Sequence, residues 1–354
     1  MFNKRILDYL GCLSEKRTPD ESARRRYPPE LDEDARIMVL DKDQFSNDAF
    51  LKIIPSKAFR RLSSKTQVLT GNKNAYVRNR LSHTQEVAYN SNTIARILGL
   101  NEDLCYAIAL GHDIGHVPFG HAGESFISDI TGKKFRHEVF GVVVAQKIER
   151  RGKGLNLTWQ VLQGILNHSR GKGSIERTEN IFEEANVVMY ADKPYIWGDI
   201  NDIFERTKTL DYRDFPDIKK LADIFGKNHR ERTATYIESL CCESAQKGYV
   251  SFQESEMAKT FFELKNLMYK VYNLVNLQNS DEILERLYGF LSKTELIGGV
   301  DPALVFALMT DDDVLSLFGK VCINARDFND CSVAEIVGHL KGKNINFFDP
   351  DLNW

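Results

Sequence analysis

Five of the eight histidines in this 354-residue chain fall between Arg78 and Glu138, and three crowd the stretch Ala109-Leu-Gly-His112-Asp113-Ile-Gly-His116-Val-Pro-Phe-Gly-His121-Ala-Gly-Glu124. Imidazole nitrogen and carboxylate oxygen both ligate divalent cations, and His112 with Asp113 offers one of each at adjacent positions. Two ligands do not hold a catalytic ion, so the fold has to bring others from a distance. His83 is expected in the first turn of a helix that opens near Ser82 and runs through the apolar positions Val87, Ile94, Ile97 and Leu98. Asp192 ends the apolar run Ala185-Asn-Val-Val-Met-Tyr-Ala, a place where burying a charge is costly unless it is paired or coordinates a metal. The chain is thereby constrained to fold so that three distant segments meet at one point.

Helical periodicity is the dominant pattern. A second helix is predicted from Glu102 through Leu104, Ala107, Ile108 and Leu110 into His112-Asp113, with Gly111 and Gly115 flanking the pair. Another opens at His137-Glu138, and beyond Asp211 the same spacing recurs at Ile218, Leu221, Ile224 and Phe225 and again at Phe261, Leu264, Leu267, Met268 and Val271. No alternation is long enough to demand a sheet, so the expected class is all-α, with at most short strands in loops. The expected organisation is an N-terminal arm over residues 1–46, a core over 47–210 and a helical C-terminal part over 211–354 packed on it.

Composition limits the function. The net charge of −3 excludes a global basic field of the kind that drives non-specific nucleic-acid binding, so an anion site has to come from local clustering. The six cysteines show no zinc spacing, Cys241 and Cys242 read as core residues, and no apolar run reaches the length of a signal sequence or membrane span. A reduced, cytoplasmic setting and no membrane partner are the expectation.

Local clustering exists. From Lys52 to Arg80 there are eight basic residues and no acidic one. Guanidinium forks and ammonium groups suit a triphosphate, although solvated surface charge is the ordinary reading for most of these lysines. The glycine-rich loop from Gly115 to Gly123 lets backbone bring His116 and His121 close to a substrate. His121 and Glu124, three apart, are expected on one helical face as a hydrogen-bonded imidazole–carboxylate pair able to pass a proton. His168, just before Gly171-Lys-Gly-Ser174, reads equally as part of a flexible rim or as a plain surface-loop residue. The triplet Arg24-Arg-Arg26 is expected to be a solvated run, with an interaction arm as the alternative.

The order His83, His112-Asp113, Asp192, together with Ala58-Phe-Arg-Arg-Leu-Ser-Ser-Lys-Thr-Gln-Val68, Arg78-Asn-Arg-Leu-Ser-His83, Phe135-Arg-His-Glu138 and Glu184-Ala-Asn-Val-Val-Met-Tyr-Ala-Asp192, resembles the HD-domain metal-dependent phosphohydrolases. More narrowly it is similar to the deoxynucleoside triphosphate triphosphohydrolases, of which deoxyguanosine triphosphate triphosphohydrolase is the best-known bacterial kind. The resemblance covers residues 47–205 well and Phe262–Tyr272 more weakly. It implies a divalent ion held by His83, His112, Asp113 and Asp192, with Mn, Fe, Co, Ni or Zn suited to the ligand set and Mg less so. It implies Arg80 and His137 on the phosphates, Gln67 on the sugar or base, His116, His121 and Glu124 in catalysis, and a deoxynucleoside plus inorganic triphosphate as products. A homo-oligomer up to a hexamer is the implied assembly, with nucleic acid entering only as a regulator.

One departure stands out. The family places a tyrosine four residues after the metal aspartate and an aspartate eight after it, whereas Tyr195 and Asp199 follow Asp192 by three and seven. In a regular helix that shift turns both side chains by about 100°. Pro194, which breaks an interior helix, is expected to absorb it, leaving Tyr195 to pack on the sugar and Asp199 to bond its hydroxyl. Two rivals remain: an HD phosphohydrolase for a monophosphate, cyclic or alarmone nucleotide, and a nucleotide-binding regulator that has lost turnover.

Overall fold

The computed structural model describes residues 4–32, 34, 35, 37, 44–169, 176–275, 280–320 and 323–354. Gly171-Lys-Gly-Ser174 and Cys322 lie outside the described residues. Fourteen helices are used below: α1 Arg80–Leu98, α2 Glu102–Gly111, α3 His121–Thr131, α4 His137–Val143, α5 Trp159–Asn167, α6 Glu183–Asp192, α7 Tyr195–Ile200, α8 Pro216–Phe225, α9 His229–Lys247, α10 Glu256–Val275, α11 Ser280–Leu291, α12 Pro302–Leu308, α13 Asp311–Phe318 and α14 Ala334–Leu340. The described residues form no strand, only isolated bridges at Arg25–Thr158 and Thr66–Asn79, as an all-α fold requires.

The central hairpin follows from its caps. Ser82 N donates to Asn79 Oδ1 at 2.9 Å and Asn79 N donates back to Ser82 Oγ at 3.1 Å, closing a capping box that starts α1. Gly99, with φ +80°, ends it, and Asn101 caps α2 through Leu104 N. α2 is apolar and buried along nearly its whole length, and it packs against α1, α5 and α6. Its crossing with α5 is close because glycines face isoleucines on both sides. A Cβ on Gly111 would lie 2.6 Å from Ile165, and one on Gly164 would lie 2.3 Å from Ile108. That approach sets the C-terminal ends of α2 and α5, which carry His112 and His168, side by side.

The C-terminal helices join the same core. Trp197 packs tilted against Phe225 at 4.9 Å and edge-to-face with Phe261 at 5.5 Å, while Tyr236 sits 4.9 Å from Phe261 and donates its hydroxyl to Tyr190 O at 2.9 Å. Aromatic burial of this kind stabilises by roughly 1.5–3 kcal/mol per side chain and ties α8, α9 and α10 to α6 and α7. At the N-terminal end of α13, Asp311 accepts from Thr66 N and Phe119 N, each at 3.0 Å, and so holds together two loops of the site described below.

Two expectations about charge hold only in part. The Arg24-Arg-Arg26 triplet is solvated at its ends only: Arg24, over the Trp159 ring, and Arg26, paired with Asp351 at 2.8 Å, are exposed, whereas the Arg25 side chain is buried against Asp48 at 2.5 Å. The basic run from Lys52 to Arg80 is divided: Lys57, Arg60 and Lys73 are exposed, and most of the others are buried in the structure. Lys52 is buried against Asp32 and Leu155 O, Arg61 donates to Leu308 O, and Lys65 donates to His116 O. Buried cations of this sort hold loops together, so sequence density of charge says little about which way it faces.

Candidate metal centre and substrate pocket

Three helices deliver four side chains able to ligate a cation to one place. His83 leaves the first turn of α1, His112 and Asp113 follow the last turn of α2, and Asp192 ends α6. Ligand atoms of His83, His112 and Asp113 all lie within 4.8 Å of one another. Asp192 Oδ1 completes the set at 3.2 Å from His83 Nε2 and 3.9 Å from His112 Nε2. His112 Nδ1–H donates to Ala109 O at 2.6 Å, so its Nε2 carries the lone pair, and that atom is buried without a hydrogen-bond partner. An orphaned lone pair facing two carboxylates is unfavourable by itself and is the donor arrangement a divalent cation satisfies.

The electrostatics agree with that fit. Burial lowers the pKa of His112, which keeps the imidazole neutral. Burial would raise Asp113, but His112, His116 and Arg80 outweigh it and hold the carboxyl well below the usual range. Asp192 is likewise held well below, burial being overcome by Lys193 and His83. A neutral His112 imidazole beside two ionised carboxylates is what a cation requires of these groups.

Beside this group lies a second histidine cluster. His168 Nδ1–H donates to Ile165 O at 2.7 Å, repeating the His112 arrangement on the neighbouring helix and leaving its Nε2 as an acceptor. His137 Nε2 lies 3.1 Å from it and donates, while His137 Nδ1 donates to Glu124 Oε1 at 2.8 Å. His137 therefore carries both protons. Burial alone would lower its pKa, yet the Glu124 carboxylate raises it to about 9. His116 stacks on that imidazolium at 3.8 Å and is pushed well below the ordinary histidine value by burial and by the charges of Arg80 and His137. Asp113, His116 and His137 are also near enough to share an ion, but a doubly protonated His137 has no lone pair to offer one.

The HD domain family model matches residues 80–193, which contain all four clustered side chains. A deoxyguanosinetriphosphate triphosphohydrolase-like protein of Clostridium tetani is 35% identical over 333 residues, covering 86% of this chain and 91% of that protein. One from Desulfatibacillum aliphaticivorans is 34% identical over 301 residues, 82% of each chain, and one from Caldanaerobacter subterraneus is 44% identical over 223 residues, 62% of this chain and 63% of that one. The chain belongs to the deoxyguanosinetriphosphate triphosphohydrolase-like family. It is a phosphohydrolase of the HD class, which is metal-dependent.

The group of His83, His112, Asp113 and Asp192 forms one end of a pocket that also receives Gln67, Arg80, His116, His137, Tyr195 and Asp199. Gln67 Oε1 is buried there without a partner. Of the eight basic residues upstream of His83, Arg80 alone lines the pocket, and its Nη1 donates to Asp113 Oδ2 at 2.9 Å. The helix breaks at Lys193-Pro194, so Tyr195 and Asp199 belong to a separate helix, with the Tyr195 ring set edge-on to His83. Asp199 accepts from Arg78 Nη2 at 2.5 Å and from the Tyr272 hydroxyl at 2.7 Å.

His121 and Glu124 differ from the expected pair. The His121 side chain is 64% exposed at the pocket rim, and its Nδ1 lies 3.7 Å from Glu124 Oε2, beyond hydrogen-bond length. The short bond of Glu124 goes to His137. His168 is neither rim nor surface: it is 2% exposed and packs its ring edge-on to His112. The recurring His at the end of an apolar helix, as at His112, was the available signal. Tyr269 and Tyr272 on α10 line the pocket as well, and nothing in their local sequence distinguishes them from helix-surface tyrosines. No helix among the described residues is long and apolar enough to cross a membrane.

Proposed function

We propose that the protein hydrolyses deoxynucleoside triphosphates, dGTP first among them, to a deoxynucleoside and inorganic triphosphate. The observation that carries this reading is the meeting of two imidazoles and two carboxylates at one end of a pocket whose walls hold Arg80, Lys193 and the imidazolium of His137. Those cations are the complement of a polyphosphate. His83, His112, Asp113 and Asp192 would hold the cation, of which Mn, Fe, Co, Ni and Zn suit the donor set best. Bound there, a divalent ion supplies a Lewis acid for a phosphate oxygen.

The chain's own residues do the rest. Arg80 and His137 neutralise charge on the phosphates as it redistributes in the transition state. Water adds to the α-phosphorus, the bond from phosphorus to the sugar 5′ oxygen breaks, that oxygen receives a proton from His121, and the proton given up by the water returns to His121 by way of solvent. Glu124 sits between His121, His116 and His137, where it orients the acid; such contacts are commonly long before substrate closes on them. Neutral His116 adds a second phosphate contact. At the other end Tyr195 packs on the sugar, Asp199 accepts from its hydroxyl and Gln67 contacts the sugar or base. A cytoplasmic homo-oligomer is the assembly this reading carries.

The test is a screen of the four deoxynucleoside triphosphates with Mn²⁺, Mg²⁺ or Co²⁺, followed by chromatography of the phosphate product. Inorganic triphosphate is expected. Free phosphate or pyrophosphate would point to a different nucleotide hydrolase, and tight binding without turnover of any of the four would point to a regulator.

A further inference from the structure

Arg78 stands two residues before Arg80, yet its side chain runs away from the phosphate end and into the body of the protein. Its side chain is 8% exposed, and four of its guanidinium contacts are with the chain itself. Nε donates to Asp202 Oδ2 at 3.1 Å, Nη1 to Glu86 Oε2 at 2.9 Å, and Nη2 to both Tyr195 O at 3.1 Å and Asp199 Oδ1 at 2.5 Å. The space it occupies exists because residue 198 is glycine: a Cβ there would lie 2.0 Å from Arg78 Cζ.

That arrangement answers a problem of construction. Because the helix breaks at Lys193-Pro194, no ladder of backbone hydrogen bonds transmits the orientation of α6 to α7, and only the turn bonds Ile196 N to Lys193 O and Trp197 N to Pro194 O join them. Something else has to fix Tyr195 and Asp199 relative to the ligand group. Arg78 precedes the Asn79 cap of α1, the helix that carries His83, and its planar fork grips α7 from there.

We propose that Arg78 is a positioning residue for the sugar end of the pocket: its guanidinium, seated against Gly198, holds the Asp199 carboxylate and the first turn of α7 in the orientation that receives the substrate's sugar hydroxyl. This rests on the reading of the pocket as a deoxynucleoside triphosphate site. Asp199 lines the pocket and keeps acceptor capacity beyond its bonds to Arg78 and Tyr272, while Arg78 does not line it. Burial pushes the Asp199 carboxyl up to about 6, and Arg78 is the first influence opposing that rise, so the same contact also keeps the carboxyl an acceptor at neutral pH.

The experiment compares the whole protein with R78K, G198A and D199N, using a deoxynucleoside triphosphate and the matching 2′,3′-dideoxynucleoside triphosphate, with metal content measured on each preparation. R78K keeps the charge but loses the fork, and G198A displaces the fork without removing it. In both, metal content is expected to be unchanged and the dideoxy substrate nearly unaffected, while kcat/KM for the deoxy substrate falls about 10- to 100-fold, mainly through KM. R78K combined with D199N is expected to be no worse than D199N alone. Parallel losses on both substrates, loss of metal, or an unchanged ratio between the substrates would overturn the positioning role, as would equal rates on the two substrates in the unmodified protein. No turnover of any deoxynucleoside triphosphate by the unmodified protein would instead overturn the functional reading, and this inference with it.

Discussion

The two ends of the pocket are built by different means. The end holding His83, His112, Asp113 and Asp192 hangs from capped, regular helices whose approach is set by glycine-against-isoleucine contacts in the core. The end holding Tyr195, Asp199 and Tyr272 spans a broken helix and a distant one, and is held by a buried ion-pair network around Arg78. The first construction is rigid because backbone geometry is shared by many residues. The second depends on a few polar contacts, each worth a modest amount, so damage there should tune selection while damage at the first end should stop the chemistry.

The sharpest way to break that contrast is His112→Ala. We expect metal and turnover to disappear together, matching the unmodified protein after exhaustive chelation, as read by elemental analysis and phosphate chromatography. His121→Ala comes next: the side chain lies at the rim and ligates nothing, so metal should stay bound while turnover falls by about 10² to 10⁴. Equal metal loss in both variants would erase the distinction between a ligand and a rim acid.

A third measurement addresses the cluster between the two ends. The folded pKa of His137 is raised from 6.5 to about 9, so the proton it binds stabilises the fold fully below pH 6.5, and that stabilisation is lost as pH rises through about 9. The difference corresponds to about 3 kcal/mol. Denaturant titrations of metal-free protein between pH 7 and 10 should show stability falling across that window, and the fall should be absent in His137→Gln. A pH-independent curve in the unmodified protein would mean that His137 is neutral and that the Glu124–His137–His168 chain is protonated differently.

The contrast also explains what the sequence made legible. His83, His112-Asp113 and Asp192 could be linked beforehand because each sits at a helix end, and helix ends are marked locally by caps, glycines and apolar periodicity. The all-α class followed from the same signals. The partners of charged residues were not legible, since an ion pair is a tertiary choice: Arg25 finds Asp48, Lys65 finds His116 O, and Arg78 finds Asp199 across more than one hundred residues. Hence the burial of Lys52, Arg61 and Lys65 was not foreseen, while Arg80, the one residue of the run expected on the phosphates, does face the pocket. His168 was missed because its environment comes from the α2–α5 crossing, and Tyr272 because α10 reaches the pocket only through the aromatic core around Trp197.

The smallest expected effect is at that tyrosine. Tyr272 donates its hydroxyl to Asp199 Oδ2 at 2.7 Å while Arg78 holds Oδ1, so the carboxylate is gripped from both sides. Tyr272→Phe keeps the ring, and with it the apolar wall, and removes one hydrogen bond out of several. If the fork of Arg78 sets the orientation of Asp199 and the phenol only shares the load, KM for a deoxynucleoside triphosphate should rise about three- to tenfold with kcat and metal content unchanged, less than in R78K. A loss as large as that of R78K would make the two contacts equal partners, and the sugar end would then be held from α10 as much as from the start of α1.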